Sequence, residues 1–143
     1  MRYEDGGGIL YNLWDFLSPR GENVILRWAR DERLTTRERA ALNNKLDRLA
    51  QIDFSLAIET KFLAGPIYGR IYKLVVHAGR MLRPLLCRGP IDNETEYTLL
   101  LGVIETGGKL PIGAKEKAAE NREAVIFFES QGNSRRTPHV RIP

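Results

Sequence analysis

The chain contains one cysteine, Cys87, and two histidines, His77 and His139, in 143 residues. A lone cysteine has no partner for an intramolecular disulfide, and so few thiols and imidazoles exclude a thiolate cluster or a histidine-rich zinc centre. Long hydrophobic runs are missing too. The densest, Leu99 to Ile104, is six residues and includes Gly102, far short of the roughly 18 apolar residues of a membrane span. The opening residues, Met1-Arg2-Tyr3-Glu4-Asp5-Gly6-Gly7-Gly8, carry acids where a secretory leader needs a basic and then an apolar stretch. Gly6-Gly7-Gly8 lacks phosphate-loop spacing and reads as a flexible leader. These absences predict a soluble cytoplasmic domain with no metal and no cofactor. Hydrophobic residues make up 43% of the chain, enough for one core but not for a second domain of ordinary size at this length.

Acids are absent from one stretch. Residues 1–60 carry 9 basic and 10 acidic side chains, and residues 91–143 carry 7 and 8. Residues 61–90 carry six basic side chains (Lys61, Arg70, Lys73, Arg80, Arg83 and Arg88) and no acidic one. A cationic segment without carboxylates attracts polyanions; the plainer alternative is a solvated strand face neutralised from elsewhere in the fold.

Local pattern then supplies the elements. Ile9 to Phe16 is aromatic and apolar and predicts a strand. Ser18-Pro19 is a helix-start pair, and Gly21 to Asp31 places Val24, Ile25 and Trp28 along one side of a short helix. Thr35 with Glu38 fits a capping box, and Leu42, Leu46 and Leu49 follow as the buried stripe of a second helix. After Gly65-Pro66 the character changes. Ile67 to Val76 is β-branched and aromatic, His77 to Arg80 is a tight connection, and Met81 to Cys87 is a second run whose Pro84 predicts an edge or a bulge. Gly89 to Thr95 is a loop, and Glu96 to Glu105 is a third strand. Ala114 to Glu129 is a last helix with Gly132 as its stop. The order predicts an α+β domain: an N-terminal strand and helix pair packed on one face of an antiparallel sheet, the other face free, with a C-terminal helix. One domain spans 1–132, followed by a basic, flexible tail over 133–143. Trp14 and Trp28 read as core, and Cys87 as a buried, inert thiol.

This order, with GPIYGRIYKLVVHAGRMLRPLLCRGP at its centre, resembles the RelE/ParE superfamily of bacterial toxins, closest to its HigB-like, phage-derived branch. There a strand ending in a Tyr-x-Leu-Arg pattern turns through Gly-Arg into a strand carrying Tyr-Arg. Here Tyr72-Lys73-Leu74-Val75, Gly79-Arg80 and Leu82-Arg83 occupy those places, and the similarity runs from about Ile9 to Phe128. The resemblance implies a RelE-like fold and the toxin of a toxin–antitoxin pair. It implies a metal-independent, ribosome-dependent endoribonuclease acting on mRNA, held by a cognate antitoxin of the helix-turn-helix type. Its partners would be the ribosome, mRNA and that antitoxin, with no membrane.

In that chemistry a ribose 2′-hydroxyl attacks the adjacent phosphate, so the nucleophile belongs to the RNA. The protein must orient the RNA, stabilise the phosphorane and move protons. Arg83 occupies the family's arginine position, and a guanidinium fork matches phosphate oxygens. Lys73 is a candidate for phosphate contact and proton transfer, and His77 for general base because imidazole titrates near neutrality. Arg70, Arg80, Arg88 and Lys109 are the expected RNA-backbone contacts. Tyr68 and Tyr72, read as sharing one strand face, are the candidate stacking platforms, the alternative being that at least one of them packs under a helix. Two positions depart from the branch's pattern: Val75 replaces its arginine, and Glu105-Thr106 replaces its lysine pair, while Lys109 is kept before Pro111. These departures support an alternative, a non-catalytic protein-binding member of the fold, either a ParE-like inhibitor or a decayed toxin that only binds its antitoxin. A small phage structural or accessory protein is a third reading, supported by size alone.

Overall fold

A computed structural model describes residues 8–143; most of the Gly6-Gly7-Gly8 leader lies outside the described residues. The elements run β1 (Asn12–Phe16), α1 (Val24–Asp31), α2 (Thr36–Leu49), α3 (Phe54–Glu59), β2 (Leu63–Tyr68), β3 (Ile71–Leu74), β4 (Val76–Ala78), β5 (Arg80–Arg88), β6 (Glu96–Glu105), α4 (Ala114–Ser130) and β7 (Arg136–Pro138). The seven strands form one sheet in the order β2-β3-β5-β6-β1-β7, with β4 pairing β5 beside β3. Every pairing is antiparallel except β1 with β6, which is parallel. The α+β class and the C-terminal helix are as the sequence predicts. No described helix is long and apolar enough to cross a membrane.

The helices begin where side chains satisfy free backbone N–H groups. Thr35 and Glu38 form both halves of the capping box, at 3.1 and 2.9 Å. That seats α2 with Leu42, Leu46 and Leu49 inward. α1 starts later than Ser18-Pro19 suggests, because the Asn23 side chain accepts from the Ile25 and Leu26 N–H groups, while the Ser18 hydroxyl closes a turn onto Arg20 and Glu22. Trp28 on α1 lies against Gly102 of β6. A Cβ at Gly102 would fall 2.1 Å from the indole, so only glycine admits that approach.

Both faces of the sheet are covered, which corrects the expectation of a free face. One core joins Ile25, Leu42, Leu46 and Leu49 of the first two helices to Leu74, Leu82, Leu86 and Leu99 of the sheet. The other sets Ala118 and Val125 of α4 against Ile71, Leu85, Leu100 and Val103. The alternation of strand side chains allows this, since successive residues point to opposite faces.

Three further expectations change. The run from Ile67 to Val76 is the end of β2, the whole of β3 and the first residue of β4, because Tyr68-Gly69-Arg70-Ile71 is a tight turn with Gly69 at φ +55°. Pro84 lies in a central strand and not at an edge, and the register shift between Leu85 and Leu86 sets a bulge beside it. The proline falls between the pairs Val76↔Leu82 and Lys73↔Leu85, where the neighbouring strand is broken and a missing N–H leaves no gap in a ladder. The tail from Asn133 is docked and not loose: β7 pairs β1, Arg136 is buried, and Asn43 grips the Ile142 backbone by two hydrogen bonds of 2.9 Å.

Candidate functional site

The register of β3, β5 and β6 decides where the expected catalytic residues point. Lys73 lies opposite Leu85 and Arg83 opposite Val103. Both partners belong to the core under α4, so Lys73 and Arg83 share that face. Glu105, two residues on from Val103, shares it as well. Its carboxylate accepts from Lys73 Nζ and from Arg83 Nε, each at 2.8 Å. Arg83 Nη1 donates to the carbonyls of Val76 and Leu82 at 3.2 and 3.0 Å. Arg83 is 5% exposed. The hydrogen bond from Lys73, with that from Arg83, holds the Glu105 carboxyl below its ordinary range.

This arrangement corrects the picture of an acid-free ribbon offering guanidinium groups to a polyanion. The ribbon lacks acids in sequence and not in space. Glu105 comes from the adjacent antiparallel strand, and helix α2 supplies the next carboxylate. Arg80 points to the opposite face, where its Nε and Nη2 donate to Glu38 at 2.8 and 2.9 Å and its Nη1 reaches Glu32 at 3.2 Å. Arg80 is therefore engaged by two acids and not free for phosphate. His77 is exposed, opposite Met81 in register, with Nδ1 2.9 Å from the Met81 sulfur.

The other expected contacts divide between the faces. Lys109 lies in the loop after β6, at a groove of about 530 Å³ whose walls include Lys73, Glu105, Lys115 and Glu116. Tyr68, exposed at the end of β2, lies opposite Ile71 on the α4 side, with Lys115 Nζ 5.8 Å from its ring centroid. Tyr72 turns to the other side and packs edge-on against Phe54 at 5.5 Å, so the two tyrosines do not form one platform. Arg88 lies over the Phe54 ring at 4.3 Å, and Arg70 lines the same small cleft. The nine expected site residues thus divide between the two faces of the sheet and do not form one surface, with Arg83 buried and Arg80 at the opposite end of β5 from Arg88. Cys87 is fully buried, and burial pushes its thiol up to about 12, consistent with an inert group.

In the sequence Glu105 stands only as a departure from the branch's lysine pair, and Glu38 only as half of a capping box. The register of β5 against β6 carries the missed signal: a one-residue shift between Leu85 and Leu86 moves the pairing on from Arg88↔Tyr97, so that Glu105 falls opposite Met81 and diagonal to Arg83. Glu38 also gives the fold an acid-sensitive joint. The hydrogen bonds from Arg80 hold its carboxyl down to about 2 from an ordinary 4.5, against the opposing effect of burial. A depressed folded-state pKa contributes stability that is full above the unfolded value and is lost as pH falls from there through the folded one. The urea midpoint should therefore drop between about pH 5 and about pH 2, and Arg80→Ala should drop less over that interval. Equal pH dependence in the two proteins would show that the pair contributes nothing to the acid limb.

Comparison of the chain with protein-family models, curated proteins and solved structures gives no match.

Proposed function

We propose that the chain is a non-catalytic, protein-binding member of the RelE/ParE-type fold, and that its partner is a small antitoxin-like protein. The observation that carries this reading is the Glu105 carboxylate bridging Lys73 and Arg83 on a guanidinium that is 5% exposed. A phosphorane needs donors aimed at the position where charge develops and free to take it. Here Arg83 Nε faces a carboxylate and Nη1 faces two carbonyls, so an incoming phosphate would have to displace an anion already at hydrogen-bond distance. The substitution of the branch's lysine pair by Glu105-Thr106 supports the same reading, because it replaces a phosphate-binding charge by one that occupies the binder.

The test has two arms. Primer extension on messages from cells expressing the chain should reveal no new 5′ ends, and Arg83→Ala should leave that pattern unchanged. Co-expression with the product of the neighbouring reading frame should yield a stoichiometric complex on size exclusion. Message cleavage that disappears in Arg83→Ala would overturn the proposal in favour of the ribonuclease reading, for which the lysine-lined groove at Lys109 and Lys115 is the supporting feature. Absence of a complex would overturn it too.

A further inference from the structure

On the face away from Glu105, a cleft of about 210 Å³ is lined by Phe54, Arg70, Tyr72, Arg88 and Asn93. Four of these five side chains are polar. Among the described residues, none of the four makes a hydrogen bond or an ion pair through its side chain. Arg88 is the telling member. It is half-buried at the end of β5, its guanidinium rests on the Phe54 ring at 4.3 Å, and its Nε is buried without an acceptor. A buried donor left unpaired is costly, and native structures rarely keep one without reason. Arg70 reaches the cleft from the turn between β2 and β3. The acids beside Phe54 and Asn93 in sequence pair with neither arginine: Asp53 accepts from the Ser55 N–H and Asp92 from the Glu94 N–H, each at 3.0 Å. Lys73, Arg80 and Arg83 have carboxylate partners; Arg70 and Arg88 are cations of the same segment that do not.

We propose that Arg70 and Arg88 form a socket for a carboxylate side chain of an acidic segment on the protein partner, an assignment that rests on the binding-module reading above. Guanidinium forks match a planar carboxylate in a bidentate fashion, and a cleft of this volume admits one side chain. A stacked nucleobase suits it less well. The Phe54 ring already carries Arg88 and meets Tyr72 at 90°, so the aromatic surface that single-strand binders offer is in use.

The probes are a fluorescein-labelled decaglutamate peptide and a labelled decauridylate, titrated against the full chain at roughly 0.1 M salt, where charges beyond about 10 Å are screened. Decaglutamate should bind, shift the Arg88 Nε–Hε resonance, and bind roughly ten-fold more weakly to Arg70→Gln, which alters an exposed turn residue and keeps the Arg88 packing. Lys115→Gln, at the opposite groove, should leave the affinity unchanged. Equal weakening by both variants, or an unmoved Arg88 resonance, would overturn the socket. Tighter binding of decauridylate, lost in Arg70→Gln, would make it a nucleic-acid site. Arg83-dependent message cleavage would overturn the binding-module reading while leaving this titration on the other face readable in its own right.

Discussion

Glu105→Ala should lower folding stability by about 3–5 kcal/mol, the usual cost of removing one partner from a buried ion pair. The Arg83 and Glu105 side chains are only 6% and 10% exposed, so the abandoned guanidinium cannot recover its hydration. Its bonds to the Val76 and Leu82 carbonyls satisfy part of the fork and none of the charge. Lys73 is more exposed, at 22%, and can turn its ammonium outward. In a domain of this size the loss corresponds to a fall of roughly 10–15 °C in Tm. Glu105→Gln keeps an acceptor and should cost less. The pair Arg83→Met with Glu105→Leu should recover most of the loss, because apolar residues of similar volume replace a buried ion pair at little or no cost. Urea denaturation of the four proteins measures all of this. A Glu105→Ala midpoint close to that of the wild type would mean the carboxylate does not neutralise Arg83, and the argument against catalysis would lose its support.

The parts of the fold legible in the sequence are those governed by near neighbours. Thr35 and Glu38 cap α2 as their spacing demands, Leu42, Leu46 and Leu49 lie on its inner stripe, and Ala114 begins the last helix. The parts that escaped are short or non-local. α3 has six residues, and β7 has three and ends in a proline, so neither carries a period long enough to register. The hairpin at Gly69-Arg70 hid inside a continuous β-favouring run because its turn needs only one glycine at positive φ. Charge was the least legible property. Arg83 meets an acid 22 positions away and Arg80 one 42 positions away, so a count along the chain finds a cationic ribbon where the folded molecule has ion pairs. Of the six cations, Lys73, Arg80 and Arg83 are paired with acids, and Lys61, Arg70 and Arg88 keep the unpaired character that the count suggested for the whole segment.

The same contrast between sequence and space governs the basic C-terminal segment, where two arginines five positions apart should behave differently. Arg136 forms a two-pronged pair with Glu96, Nη1 to Oε2 at 2.7 Å and Nη2 to Oε1 at 3.1 Å, and Nη1 also donates to the Thr98 hydroxyl at 3.1 Å. Its guanidinium lies 4.2 Å from the centre of the Trp14 ring, and the two paired side chains are 6% and 8% exposed. Glu96 Oε2 also accepts from the Ile91 and Asp92 N–H groups, so Arg136 ties β7 to the loop between β5 and β6 through one carboxylate. Arg136→Ala should therefore cost about 3–5 kcal/mol, and Arg136→Lys an intermediate amount, since an ammonium cannot reproduce the fork. Arg141 pairs with Asp47 at 2.8 Å, but those side chains are 62% and 54% exposed. Arg141→Ala should cost no more than about 1 kcal/mol, as exposed pairs do. Chemical denaturation of the two alanine variants side by side checks the contrast. Equal effects would mean that β7 is not held by its buried guanidinium, and that the segment from Asn133 onward is the loose tail its composition suggests.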